Sequence, residues 1–142
     1  MEVELKLALT PPEALERLLA CLPTPDAVIT QTNHYFADPV GVLARDRVMV
    51  RVRESVTQGD ESPQPVILTI KRRAEVNNGL FIAQEDEYEL DNEAWQVVRD
   101  GGGDLRQAGV EPLEALCEAL GVSILFKVGA FRNTRRCIPL QG

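Results

Sequence analysis

The chain has 142 residues, 44% of them apolar and 26% charged, which is enough for one domain with a core and excludes a disordered tail. Twenty-two acidic against fifteen basic side chains leave a net charge of -7, and only 5% of residues are aromatic. Both figures argue against a protein that holds nucleic acid or an anionic membrane through bulk charge or base stacking.

In chain order, Glu2-Val3-Glu4-Leu5-Lys6-Leu7 alternates charged and apolar residues, the period of a strand with one buried face. Thr10 is placed to cap a helix that opens on Pro11 and Pro12 and carries Leu15, Leu18, Leu19 and Leu22. Pro23 and Pro25 end it. Residues 27–36, rich in β-branched and aromatic side chains, read as a strand. A second strand follows over about 46–54, then a polar loop from Thr57 to Pro63. Pro65 to Lys71 reads as a strand, Asn77-Asn78-Gly79 as a turn, and Leu80 to Leu90 as the returning strand. Asp91 or Asn92 caps a short helix with Trp95 and Val98, broken by Gly101-Gly102-Gly103. A further helix holds Leu113, Leu116, Cys117 and Leu120 and stops at Gly121. The last strand spans about Ile124 to Ile138. No repeat or boundary divides the chain, so residues 1–142 form a single α+β domain dominated by an antiparallel sheet.

Metal-thiolate and disulfide chemistry lack the means. Cys21, Cys117 and Cys137 are far apart, no CxxC spacing occurs, and His34 is the only histidine. His34 reads as an ordinary strand histidine, so enzymatic chemistry would rest on carboxylates, cations and a metal. No apolar run approaches the ~20 residues of a transmembrane helix, and the N-terminus lacks a secretory pattern. A cytoplasmic protein is expected.

The charges follow the strand period. Glu2, Glu4 and Lys6 share a face; so do Arg51 and Arg53, then Thr69, Lys71 and Arg73, then Glu85, Glu87 and Glu89. Apolar residues occupy the opposite face each time. A solvated outer face would produce such a pattern in any one strand. Here, however, acidic and basic residues are sorted by strand, and eleven of the fifteen cations fall in three blocks: Arg45–Arg53, Lys71–Arg73 and Lys127–Arg136. In an acidic chain such blocks point to a local anion site. Carboxylates beside them suit Mg²⁺, which binds through one or two carboxylates plus substrate phosphates. Phosphoryl transfer then needs only positioning and charge stabilisation.

The N-terminal Glu2-x-Glu4-x-Lys6 resembles the ExExK signature of the CYTH, or triphosphate tunnel metalloenzyme, superfamily. Gln31-Thr32-Asn33-His34-Tyr35-Phe36 with Asp38 is similar to the family's Q-x-N-x-Y-F-D strand, with Ala37 inserted before the aspartate. Val50-Arg51-Val52-Arg53 resembles its L-R-x-R, and Thr69-Ile70-Lys71 its T-x-K. Glu85 to Asp91 resembles the acidic strand of plant-type members, and Gly129 to Arg135 their G-x-F-x-N-x-R segment.

The resemblance implies an antiparallel β-barrel around a triphosphate tunnel, with helices outside. The family continues with strands carrying a lysine, an aspartate and a terminal E-x-E pair. Against that pattern this chain is incomplete at the C-terminus, and an exposed sheet edge offers a route to a homodimer. The implied activity is metal-dependent hydrolysis of inorganic triphosphate. The alternatives are a non-catalytic polyphosphate-binding remnant, a thiamine triphosphatase or a class IV adenylate cyclase. By position, Lys6, Arg51, Arg53, Lys71 and Arg135 would bind phosphate oxygens. Glu2 and Glu4 would hold Mg²⁺ or Mn²⁺, and Lys6, Glu87 and Glu89 would join them in catalysis.

Overall fold

A computed structural model describes residues 8–10, 12–77 and 79–139. The strand expected over Glu2 to Leu7, with Glu2, Glu4 and Lys6, lies outside the described residues, as does Pro11. In order the elements are α1 (Glu13–Cys21), β1 (Ala27–Ala37), α2 (Val42–Arg45), β2 (Val48–Thr57), β3 (Val66–Asn77) and β4 (Leu80–Leu90). They continue with α3 (Asn92–Gly101), a 3-10 turn (Leu105–Ala108), α4 (Glu111–Leu120) and β5 (Phe126–Cys137).

The five strands form one sheet in the order β4-β3-β2-β1-β5, each pair antiparallel. The α+β class with a dominant antiparallel sheet is therefore observed. Among the described residues the sheet is open, bordered by β4 and β5, rather than a closed ring.

Paired residues of antiparallel strands share a face, so the register assigns every side chain to one side of the sheet. One row runs Ala130–His34–Val52–Leu68–Tyr88, and the next Lys127–Phe36–Val50–Ile70–Asp86. Phe36, Val50, Val52, Leu68 and Ile70 of these rows are buried with Trp95 and Val98 of α3, Leu105 of the 3-10 turn, and Leu113, Leu116 and Cys117 of α4. Burial pushes the Cys117 thiol above its ordinary pKa, as expected of a thiol that packs as a small hydrophobe.

Element boundaries follow local chemistry, and several differ from expectation. Thr10 does not cap α1: the helix begins one residue later than its prolines suggest, with Pro12 at the N-cap and no side-chain cap. From two residues upstream of the N-cap, Thr10 cannot serve the first-turn amides. Leu22 is extended and already outside the helix. The short helix α2, absent from the sequence reading, exists because the Asp38 carboxylate accepts from the amides of Val42 (2.9 Å) and Leu43 (3.0 Å). β2 starts at Val48 rather than at residue 46 and runs on to Thr57, while β3 extends past Lys71 to Asn77. Asp91 caps α3, accepting from the Ala94 amide at 3.1 Å, and Gly102 ends that helix with φ 61°. The inserted Ala37 adds one more pair, with Phe126. The extra residue of the nearby bulge belongs to β5, where Val128 is passed over between the Tyr35–Gly129 and Phe36–Lys127 pairs.

Candidate anion-binding site on the open face of the sheet

The opposite face carries the charge. Its central row runs Gly129–Tyr35–Arg51–Thr69–Glu87, flanked by Phe131–Asn33–Arg53–Ile67–Glu89 on one side and Met49–Lys71–Glu85 on the other. Strand parity thus brings Arg51, Arg53 and Lys71 together on one face, as the alternation in β2 and β3 requires. Glu87 and Glu89 stand on the same face of the bordering strand β4 and are exposed.

A cavity of about 600 Å³ opens on this face. Arg47, Arg51, Lys71 and Arg73 line it with Tyr35 and Met49, and no carboxylate belongs to the lining. Its size falls within the usual range for a small-molecule pocket. Four cations converge on this concavity in a chain of charge -7, which concentrates positive charge there.

The floor of the site is polar and ordered. The Arg53 Nε donates to Asn33 Oδ1 at 2.8 Å, and an Arg51 terminal nitrogen donates to Thr69 Oγ1 at 3.4 Å. Thr69 is fully buried and Asn33 only 3% exposed, so each arginine leans on a fixed partner. The Arg51 side chain is 15% exposed and sits 3.8 Å from Glu85 Oε1, while its buried Nε has no hydrogen-bond partner among the described residues. Burial first, then the neighbouring Arg51 and Arg135, hold Arg53 below its ordinary pKa, against the opposing effects of Tyr35 and Glu87. Crowded cations of this kind are relieved by a bound anion.

Of the residues expected at the site, Arg51 and Lys71 line the cavity and Arg53 lies one row away. Arg135 shares the face through its pairing with Ile29, but stands on the exposed strand β5. Glu2, Glu4 and Lys6 lie outside the described residues. Arg47 and Arg73 were not singled out as ligands, although both belong to the basic blocks. The Arg73 amide donates to the Arg47 carbonyl at 3.1 Å, which fixes the two chains at the cavity rim. Arg47 has φ 58°, the only described non-glycine residue in the left-handed region, and this backbone turn aims it there. The sequence pattern puts Thr69 on the face of Lys71 and Arg73, while Asn33 and Tyr35 enter it only as parts of a motif.

His34 belongs to the other face. Its Nε2 lies 2.7 Å from Glu54 Oε1, its ring meets Trp95 edge-on at 5.0 Å, and Arg99 holds Glu54 Oε2 at 2.8 Å. It is an ordinary buried strand histidine, as expected from the sequence.

A two-layer α+β protein with one helix-covered face and one cation-lined face is the class that these observations define. Residues 1–139 match the CYTH domain, and the chain belongs to the CYTH family. Two solved structures resemble it. One is a candidate adenylyl cyclase from Hippeastrum, HpAC1, described as revealing a dominant triphosphatase activity: TM-score 0.69, 24% identity, 90% of this chain and 62% of that one. The other is a candidate adenylate cyclase from Bacillus halodurans: TM-score 0.60, 20% identity, and again 90% of this chain and 62% of that one. This chain therefore spans less than two thirds of either structure. At these identities the likeness concerns the fold. No curated protein matches the chain.

Among the described residues no helix is long and apolar enough to cross a membrane, which says nothing of membrane β-barrels.

Proposed function

We propose that this CYTH domain hydrolyses inorganic triphosphate on the cation-lined face of its sheet, in a reaction that needs Mg²⁺ or Mn²⁺. The observation that carries the reading is the cavity on which Arg47, Arg51, Lys71 and Arg73 converge. Guanidinium groups bind phosphate oxygens through paired N–H donors, and lysine supplies a point charge. Arg53, oriented by Asn33, and Arg135 extend the array for a chain of three phosphates.

The donor chemistry fits a hard divalent cation only in part. Glu85, Glu87 and Glu89 are oxygen ligands on the right face. Yet among the described residues no three His, Cys, Asp or Glu side chains gather closely enough to hold an ion. By the resemblance to the ExExK signature, the proposed ligands are Glu2 and Glu4, completed by substrate oxygens, as Mg²⁺ prefers. Once bound, such an ion polarises phosphoryl oxygens and acidifies its water. Lys6 would join the phosphate ligands, while Glu87 and Glu89 would orient water or a second cation. The free thiols Cys21, Cys117 and Cys137 accord with a reducing, cytoplasmic setting. The exposed strand β5 is the edge through which two copies would pair.

The test is release of phosphate from tripolyphosphate, pyrophosphate and ATP with Mg²⁺ or Mn²⁺. The reading expects tripolyphosphate to be fastest, since pyrophosphate spans fewer cations and ATP adds a bulky nucleoside. Equal rates on all three contradict it.

A further inference from the structure

The helix-covered face is not covered throughout. Beside α3, where β5, β1 and β2 run together, lies a second groove of about 590 Å³, lined by Thr30, Thr32, His34, Glu54, Arg99 and Arg132, with Val56 on its wall. It is on the opposite side of the sheet from the cavity described above, because the register alternates: Asn33 and Arg53 point to one face, Thr32 and Glu54 to the other.

The hydrogen bonds in this groove are unevenly distributed. Both oxygens of Glu54 are engaged, one by His34 at 2.7 Å and one by Arg99 at 2.8 Å. Arg99 also donates through its Nε to Asp100 Oδ1 at 2.9 Å. Each oxygen of the carboxylate thus has a partner. Burial alone would raise its pKa, but contacts with His34, Trp95 and Arg99 outweigh burial and keep it low. By contrast, the guanidinium of Arg132 and the hydroxyls of Thr30 and Thr32 make no side-chain bond among the described residues. Arg132 is paired across the ladder with Thr32, and Thr32 with Glu54, so these groups form one transverse row.

We propose that this groove is a second anion site, for a phosphate group carried by a small molecule. Three unengaged donors line the one groove: two hydroxyls on the same strand face and a five-donor guanidinium from the neighbouring strand. Residues i and i+2 of a strand are about 6.6 Å apart, a span that two oxygens of one tetrahedral oxyanion bridge through ordinary hydrogen bonds. The groove is larger than a bare phosphate and has Val56 on its wall, which leaves room for the organic part of a phosphate monoester. Glu54 does not oppose the ligand, because His34 and Arg99 already hold it.

Nuclear magnetic resonance of the Arg132 Nε–H group tests the site, the signal being identified by its absence in Arg132→Ala. Inorganic phosphate and glycerol phosphate are the two probes, titrated into the intact chain and into Lys71→Ala, which disables the cavity on the other face. The proposal expects a saturable shift of the Arg132 signal with both proteins and a similar midpoint in each. Thr32→Val, which removes one hydroxyl at nearly constant shape, should weaken binding about tenfold, as loss of one bond to a charged group does. Tighter binding of the ester than of inorganic phosphate would support a monoester, and equal binding would support free phosphate at the same site. The proposal is overturned if the Arg132 signal does not move with either probe. It is also overturned if the midpoint is unchanged in Thr32→Val, or if the shift disappears in Lys71→Ala.

Discussion

The two faces of the sheet are made by the same strands, residue by residue in alternation, and they do opposite work. Leu68 and Ile70 flank Thr69 in β3; the first two are sealed under α3 and α4, while the third lies beneath the Arg51 guanidinium. One face gains its stability from apolar area removed from water. The other concentrates charge, and burial, followed by the neighbouring Arg51 and Arg135, lowers the pKa of Arg53. Comparing them shows where energy for folding and energy for binding reside, and substitutions one residue apart should separate the two.

The largest effect expected is on stability alone. Leu68→Ala removes a fully buried side chain from the centre of the helix-covered face. It should cost about 2–5 kcal/mol, read from the urea midpoint. Lys71→Ala, three residues along the same strand on the other face, should change stability by no more than about 0.5 kcal/mol. If the two variants unfold alike, the division of labour between faces is wrong.

A smaller loss is expected at the link between β1 and β2. Asp38 is 5% exposed and holds two amides of α2. Burial would raise its carboxyl, but the bonds from Leu43 and Val42 outweigh it, so the group stays below its ordinary pKa. Asp38→Ala should cost about 1–2 kcal/mol, the range for loss of a helix cap. Asp38→Asn, which keeps an acceptor, should recover much of it in the same unfolding assay.

The smallest effect is a slope. Glu54 titrates below its ordinary value of 4.5 in the folded chain. The unfolded chain therefore binds the proton first as pH falls. The stability that Glu54 contributes is present above about pH 4.5 and is lost as pH drops through the folded value. Glu54→Gln should flatten the dependence of stability on pH in the acid range. Parallel curves for the two proteins would remove the His34–Glu54–Arg99 network from the account of the helix-covered face.

Much of this arrangement was legible because a strand has a period of two. Parity alone placed Arg51 with Arg53, Lys71 with Arg73 and the three glutamates of β4 together, and it put the valines and leucines opposite. It could not show which residues meet across strands, since register depends on pairing partners. Thus Arg47 was legible as a cation but not as a wall of the cavity; its left-handed backbone follows no residue preference. Helix α2 escaped notice because four residues carry no periodicity, and its cap, Asp38, lies four residues before the first helical amide. Two prolines obscured the start of α1, where proline is tolerated both just before and just inside a helix. Arg132, Arg135 and Arg136 read as one basic block, yet the pairing of β5 with β1 sends Arg135 to the open face and the other two to the helix side.

Calorimetric titration with tripolyphosphate at low salt tests the central claim most directly, using wild type, Lys71→Ala, Arg53→Ala and Arg45→Ala. Lys71 lines the cavity, Arg53 adjoins it, and Arg45 is an exposed cation paired with Asp46 outside it. Charge-assisted contacts to phosphate are worth about 1.5–3 kcal/mol, so the first two variants should bind at least about tenfold more weakly. Arg45→Ala should bind like wild type. Equal, small losses in all three variants would mean that binding follows bulk charge and that the cation-lined face is not a site.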